Sequence, residues 1–287
     1  MDFPERPTGG PLTPPHSSTA GETLEGFRFG VLGPLHIGAR SSTATMTVAP
    51  KVRTVLAMLL IDADHVVPAS ALMRELWPDG APVSGLRTLQ TYVLNCRKSL
   101  ARFAGLPASG IARDVLETRA GGYCFHSGGA ELDWVEYQRL VNLGGRAINR
   151  GSEFDGIRLL DQALGLWRGT AFADVTAGPV VESKRRLLTE SRLGVIETLT
   201  ETRIRAGRHQ EVIADLAGLT NEHALHEGLH AQYMRALALG GRRARALEVF
   251  SDLRTRLVTE IGIEPGLPLQ KLQLAILNSH SEAVPPG

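Results

Sequence analysis

Cysteine, aromatic residues and long apolar runs are all scarce in this sequence. Only 2 of the 287 residues are cysteine, Cys96 and Cys124, which excludes the disulfide framework of small secreted domains. The longest apolar run, residues 55–61, is far shorter than the roughly 20 residues that a membrane span needs. The first five residues, MDFPE, lack the basic and apolar regions of a secretory signal. We therefore expect a soluble intracellular protein with two reduced, buried thiols, and the length predicts two domains.

The signatures of common enzyme classes are also missing. The sequence contains no G-x-x-x-x-G-K-[ST] phosphate loop, no G-x-S-x-G nucleophile elbow and no G-x-G-x-x-G after a predicted strand. We therefore expect no enzymatic activity and no cofactor.

One catalytic pattern does occur, H-E-x-x-H at His226, Glu227 and His230. In zinc hydrolases the two histidines of this pattern bind the metal and the glutamate acts as the base. The metzincin extension is missing because Tyr233 stands where its glycine belongs. We interpret the histidines as residues at the edge of a helix's apolar face and keep a zinc hydrolase as an alternative.

The net charge of +1 hides a local basic segment. Between Gly80 and Arg113 no acidic residue occurs, whereas five basic residues do: Arg87, Arg97, Lys98, Arg102 and Arg113. The rest of the chain must then sum to −4. Such a segment in a nearly neutral protein is typical of an element that binds a polyanion. A solvated helix face that binds nothing is the alternative.

The N-terminal half predicts strands, three helices and a hairpin. Residues 1–24 carry five prolines and are expected to form a flexible tail. Strand-like segments follow at 27–32, 35–37 and 46–48. Helices are predicted from Pro50 with an apolar face of 52, 55, 56, 59 and 60, at 69–77 and at 84–103. Strands at 115–119 and 123–125 then form a hairpin through residues 120–122.

The predicted third helix has two chemically different faces. At 100° per residue one face is apolar and collects Leu86, Leu89, Val93, Cys96, Leu100 and Phe103. The opposite face collects Arg87, Thr91, Leu94, Asn95, Lys98 and Arg102, with Gln90 and Arg97 on a flank. Strands, three helices and a hairpin are the order of a winged helix-turn-helix, whose third helix enters the DNA major groove. The fold class predicted is therefore an α+β winged helix-turn-helix over residues 25–127.

From residue 131 the pattern is helical to about residue 280, with a frayed end expected at 281–287. Helices are predicted from Asp133, at 153–167 and at 179–206. The string Gly207-Arg208-His209 recurs as Gly241-Arg242-Arg243, an offset of 34 residues. This is the tetratricopeptide period, in which paired helices stack on their neighbours and usually form protein-binding surfaces. The second domain is thus predicted to be all-α and tetratricopeptide-like.

The chain resembles the Streptomyces antibiotic regulatory proteins (SARPs). The resemblance rests on segments that keep the family's order and spacing: FGVLGPL at 29–35, PKVR at 50–53, LW at 76–77, TLQTYV at 88–93 with RK at 97–98, GY at 122–123, ELDW at 131–134, ALGLWRG at 163–169, AGR at 206–208 and GIEPG at 262–266. The chain departs from the family at Cys96, usually leucine, and at His226, commonly arginine.

The resemblance implies an OmpR-type winged helix followed by a bacterial transcriptional activation domain, in the small stand-alone type. It implies an activator of a gene cluster for a secondary metabolite, located in the cytoplasm at the nucleoid. The expected partners are promoter DNA with direct repeats near the −35 element, bound by a head-to-tail homodimer, and RNA polymerase holoenzyme with its primary sigma factor. A protein-interaction or repressor module without polymerase recruitment is the alternative.

Nine residues form the predicted DNA-binding site. Arg87, Gln90, Thr91, Asn95 and Lys98 are expected to face the major groove. Thr88, Arg97 and Arg102 are expected to contact phosphates or to brace the helix. Arg119, at the hairpin, is the candidate for a contact with the adjacent backbone or minor groove. Each could instead be solvated or paired within the protein.

Overall fold

The computed structural model describes residues 24–39 and 47–278. The first strands of the chain form a small sheet. Strands β1 (Phe27–Gly30) and β2 (His36–Ala39) lie close to the predicted segments 27–32 and 35–37, and they pair antiparallel. The sheet gains a third strand from far along the chain, β6 (Glu131–Leu132), which lies parallel to β1. Of the strand predicted at 46–48, residues 47 and 48 are described, and there the prediction is wrong because residues 47–49 have no regular structure. There the carbonyl of Val48 accepts a hydrogen bond from Arg53 instead of a neighbouring strand.

A second sheet carries the predicted hairpin. Strands β4 (Leu116–Arg119) and β5 (Gly122–Phe125) pair antiparallel, and β3 (Val66–Pro68) adds to the other edge of β5. Strand β3 was not predicted, because three residues ending in proline are too short for an alternation pattern. Gly121 has φ +78°, and a side chain on Gly122 would collide with the carbonyl of Val67. Gly121 in the turn and Gly122 at the start of β5 are therefore both required by geometry.

Three helices pack against one another and against the second sheet. They are α1 (Pro50–Ile61), α2 (Ala69–Leu76) and α3 (Gly85–Ala104), each close to its predicted range. A short helix α4 (Ala108–Gly110) follows and continues as a π-helical turn, Ile111–Val115. Helix α1 buries nine of its residues rather than the one predicted face. The reason is that α2, α3, β5 and a helix from the C-terminal half all pack against it.

In the rest of the described chain the regular structure is helical apart from β6, and residues 166–178 form a non-helical segment between two of the helices. The helices are α5 (Asp133–Asn149), α6 (Glu153–Gly165), α7 (Pro179–Arg205), α8 (His209–Glu222), α9 (Glu227–Leu239), α10 (Arg243–Arg256) with a π-helical turn (Leu257–Ile261), and α11 (Leu267–Asn278). Gly207 and Gly241 have φ +76° and +75°, so the two copies of the 34-residue offset make the same turn. Among helices of the described ranges, none has the length and apolar character needed to cross a membrane.

Two apolar cores meet along α7. One runs from Leu24 to Leu199 and joins the sheets and α1–α3 to α5, α6 and most of α7. The other runs from Ile204 to Ile276 and holds α8–α11 together. Leu24 is 1% exposed, so the predicted flexible tail does not extend to that residue. The remainder of the predicted tail and the predicted frayed end at 281–287 lie outside the described residues.

Candidate nucleic-acid interface

One face of α3 is fixed in the core. Leu89, Val93, Cys96 and Leu100 are all buried, and the Cys96 thiol donates to the carbonyl of Val52 at 3.7 Å. Burial raises the pKa of Cys96 to about 12, so this cysteine is a neutral packing residue. Cys124 on β5 is also buried. The expectation of two buried thiols is confirmed.

The first turn of α3 differs from the prediction. Leu86 was expected in the core and is 51% exposed. Gly85 occupies the buried position instead, where a β-carbon would lie 3.3 Å from the methyl group of Met73. A larger residue would be crowded there, so the glycine lets α3 start close to α2 and turns Leu86 outwards.

The opposite face of α3 is exposed to solvent. It presents Arg87, Gln90, Thr91, Leu94, Asn95, Lys98 and Arg102. In residues 24–39 and 47–278, no ion pair or side-chain hydrogen bond engages Arg87, Lys98 or Arg102. Three unpaired cations thus share one helix face with two free side-chain amides, which suits a surface that meets a polyanion bearing hydrogen-bonding groups.

The two threonines of the predicted site already use their hydroxyl hydrogens. Thr88 Oγ1 donates to the carbonyl of Ser84, and Thr91 Oγ1 donates to the carbonyl of Arg87, both at 3.1 Å. Towards a ligand these hydroxyls can therefore act as acceptors. Thr88 is half-buried on the side of the helix, whereas Thr91 is exposed.

Arg97 joins α3 to the β4–β5 hairpin. Its Nε donates to the carbonyl of Leu116 and its Nη2 to Thr118 Oγ1, both at 2.8 Å. The guanidinium fork therefore holds strand β4 at a fixed position beside the exposed face of α3. Of the two predicted roles, phosphate contact and bracing, the structure shows bracing contacts.

Arg119 has a partner within the hairpin. Its Nε lies 2.8 Å from Glu117 Oε2, while 54% of its side chain remains exposed. The same oxygen lies 2.9 Å from His126 Nε2. The hydrogen bond from His126 lowers the pKa of Glu117, and Arg119 adds to the effect. The cluster was not predicted, although Glu117 and Arg119 share one face of β4 by their two-residue spacing; only His126 comes from further along the chain. The ion pair of Arg113 with Asp114 at 2.8 Å was not predicted either.

Two further exposed residues in this region were not selected from the sequence. Arg74 lies exposed on α2, and no ion pair involves it within the described residues. Leu94 was placed on the polar face and is 48% exposed there. Arg74 precedes the acid-free segment, so the charge count that drew attention to α3 could not include it.

Glu75 ties this region to the helical half of the chain. It is 3% exposed and accepts hydrogen bonds from the backbone N–H groups of Gly178, Val180 and Val181 at 2.6, 2.8 and 3.2 Å. These N–H groups belong to the start of α7, where a carboxylate is also favoured by the helix dipole. The orientation of α2 relative to α7 is therefore fixed by a buried carboxylate.

The three residues of the H-E-x-x-H pattern make hydrogen bonds within the protein. The ring of His226 caps α9, where its Nδ1 accepts from the N–H of Leu229 at 3.3 Å. Glu227 accepts from the N–H of Gly266 at 2.6 Å. His230 is 4% exposed, with its Nδ1 3.0 Å from the carbonyl of His226. Because His226 lies in the cap rather than within the helix, the pattern does not form the helical pair that a zinc hydrolase requires.

Comparison with known proteins places the chain in a family. The model of the bacterial transcriptional activator domain matches residues 132–277, from β6 to α11. Regulatory protein DnrI of Streptomyces peucetius is 42% identical over 253 residues, which cover 88% of this chain and 93% of DnrI. The chain belongs to the SARP family of transcriptional regulators. Its similarity to these regulators, together with the helical cap at His226, favours a regulatory protein over an enzyme.

Two other relatives support the membership of the chain in the SARP family. Transcriptional regulator RedD of Streptomyces coelicolor is 34% identical over 248 residues, covering 86% of this chain and 69% of RedD. The solved structure of Mycobacterium tuberculosis EmbR in complex with a low affinity phosphopeptide matches with a TM-score of 0.79 and 31% identity. That match covers 89% of this SARP and 66% of the EmbR chain, so the fold described above is shared along most of the sequence.

Proposed function

We propose that this SARP is a sequence-specific DNA-binding activator of a biosynthetic gene cluster for a secondary metabolite. In this proposal residues 25–127 form an OmpR-like winged helix-turn-helix, and residues 131–280 form a tetratricopeptide-like activation domain. The observation that carries the proposal is the exposed face of α3, where Arg87, Lys98 and Arg102 have no acidic partner among the described residues. The opposite face is fixed in the core, so only this side can meet DNA.

The predicted site residues are assigned to different parts of the DNA by the chemistry of their side chains. We assign base reading in the major groove to Arg87, Gln90, Thr91, Asn95 and Lys98, because guanidinium and amide groups match the donors and acceptors of base edges. Arg102 and Thr88 are assigned to phosphates. Arg97 contributes by holding the hairpin. Arg119, half exposed at the hairpin, is assigned to the adjacent backbone or minor groove, using the guanidinium nitrogens that Glu117 leaves free.

The proposal includes two partners beyond a single DNA site. A head-to-tail homodimer would bind direct repeats near the −35 element, and the activation domain would recruit RNA polymerase holoenzyme through its primary sigma factor. The support is the SARP membership and the Glu75 contact, which fixes α2 relative to α7. A rigid connection would hold a polymerase-binding surface at a set distance from the bound promoter.

Two assays test these steps in order. In the first, the full-length chain is mixed with genomic fragments at two salt concentrations, and retained fragments are sequenced. Retention of promoter fragments with spaced direct repeats is expected, whereas uniform and steeply salt-dependent retention would show phosphate contacts alone. In the second, holoenzyme transcribes a retained promoter with and without the chain. Stimulation is expected, and repression or no effect would favour the interaction or repressor module.

A further inference from the structure

Leu94 is an apolar residue in the middle of a polar surface. It lies near the centre of α3 and is 48% exposed, on the side opposite the buried residues Leu89, Val93 and Cys96. Its neighbours one helical turn away on this face are Gln90 and Thr91 before it and Lys98 after it, all exposed. Leu94 is therefore a single apolar side chain among polar ones. It does not belong to an apolar patch of the kind that binds another protein.

The chemistry of the major groove limits what can cover this side chain. Every base pair presents hydrogen-bond donors and acceptors there, and thymine alone adds an apolar group, its 5-methyl. If α3 enters the groove as proposed above, the residues around Leu94 face base edges. An apolar side chain that loses its water against a donor or acceptor would leave that group without a hydrogen bond, which is unfavourable.

We propose that Leu94 is a specificity-determining residue that packs against the 5-methyl group of a thymine in each DNA repeat. This inference rests on the proposed function, since it requires α3 in the major groove. The contact gives the chain a preference for one A·T pair that Arg87, Gln90 and Asn95 do not have to read by hydrogen bonding. Because the methyl lies on one strand, the contact also distinguishes A·T from T·A.

Removing the methyl group from the DNA tests the contact directly. The full-length chain selects a duplex from a random-sequence DNA pool, and that duplex is resynthesised with deoxyuridine in place of each thymidine in turn. Uracil keeps the hydrogen-bonding groups of thymine and lacks only the methyl. We expect one uracil position per repeat to weaken wild-type binding about fourfold, the effect of one buried methyl group. Leu94→Ala and Leu94→Gln should bind the thymine and uracil duplexes equally.

A matched control is Leu187→Ala, which truncates another exposed leucine, 65% exposed on α7. It should keep the wild-type ratio between the two duplexes. The inference is overturned if wild type binds every uracil duplex as tightly as the parent, or if both Leu94 variants, folded by circular dichroism, keep the methyl effect. Failure to select any sequence from the pool would overturn the proposed function as well. Selection without a methyl effect would overturn the role of Leu94 alone.

Discussion

Glu75 Oε1 lies 2.6 Å from the backbone nitrogen of Gly178, deep between α2 and the start of α7. A side chain at position 178 would not fit, because a β-carbon there would lie 2.5 Å from the carbonyl oxygen of Glu75. The glycine therefore allows the carboxylate to reach three N–H groups at once. This contact connects the part of the chain that carries α3 to the activator domain.

Replacing Glu75 with glutamine should destabilise the whole protein. The side-chain amide keeps one acceptor oxygen and places a donor against backbone N–H groups, so at least one charge-assisted hydrogen bond is lost. We expect the free energy of unfolding to fall by about 2–3 kcal/mol. Urea denaturation followed by circular dichroism measures the change. Glu190→Gln, an exposed glutamate on α7, is the control and should unfold like wild type.

Arg97 is predicted to act as a brace rather than as a phosphate ligand. Arg97→Ala removes both bonds to the hairpin and should lower the free energy of unfolding by about 1 kcal/mol. Arg97→Lys keeps the charge but cannot make the forked pair of bonds, so it should be nearly as unstable as the alanine variant. The dependence of DNA affinity on salt should stay at the wild-type slope in both. A slope reduced by about 1 in the alanine variant and restored by lysine would instead identify a phosphate contact.

Acid should weaken the fold through His230. Burial lowers its pKa from the ordinary 6.5, and the carbonyl of His226 only partly offsets the effect. Below pH 6.5 the unfolded chain binds a proton that the folded chain resists, so the free energy of unfolding falls as the pH drops through this window. His36 shifts in the same direction, again mainly through burial.

The His230→Asn variant measures how much His230 contributes to the loss of stability in acid. Asparagine can donate to the carbonyl of His226 in place of Nδ1 and does not titrate. Urea denaturation at about pH 7.5 and about pH 5.5 should show a smaller loss of stability on acidification than in wild type. An equal loss in both proteins would show that His230 is not a source of the acid sensitivity.

The thiols are predicted to be unreactive in the native state. Burial raises the pKa of Cys96 to about 12 and also raises that of Cys124. A thiol reagent at about pH 8 should therefore modify both cysteines only after unfolding. Above the ordinary value of 9.0 the unfolded chain loses the Cys96 proton while the folded chain keeps it until about 12, so stability should decline across that range. Rapid modification of native Cys96 would contradict its place in the core.

The elements of this fold were predictable where one strand or helix carries its own periodic pattern. Helix α3 is an example, since its core residues and its polar face both follow from helical spacing. Strand β6 was not predictable, because two residues pair with a strand about a hundred positions away. The Glu75 contact was missed for the same reason, because its partners lie 103 to 106 residues further along the chain. The Glu117–Arg119 pair was also missed, although the two-residue spacing along a strand places both side chains on one face. Leu86 shows that helical spacing also fails in a first turn, where Gly85 takes the buried position.

The central claim is that the exposed face of α3 binds DNA, and affinity for a selected promoter duplex tests it most directly. The Arg87→Ala/Lys98→Ala double variant is compared with wild type and with Arg158→Ala, which removes an exposed, ion-paired arginine of α6. We expect the double variant to lose about 1–3 kcal/mol of binding free energy for each base contact removed, and to show relaxed preference at the base positions that Arg87 and Lys98 read. Arg158→Ala should bind like wild type. Equal affinity of the double variant and wild type would contradict the account.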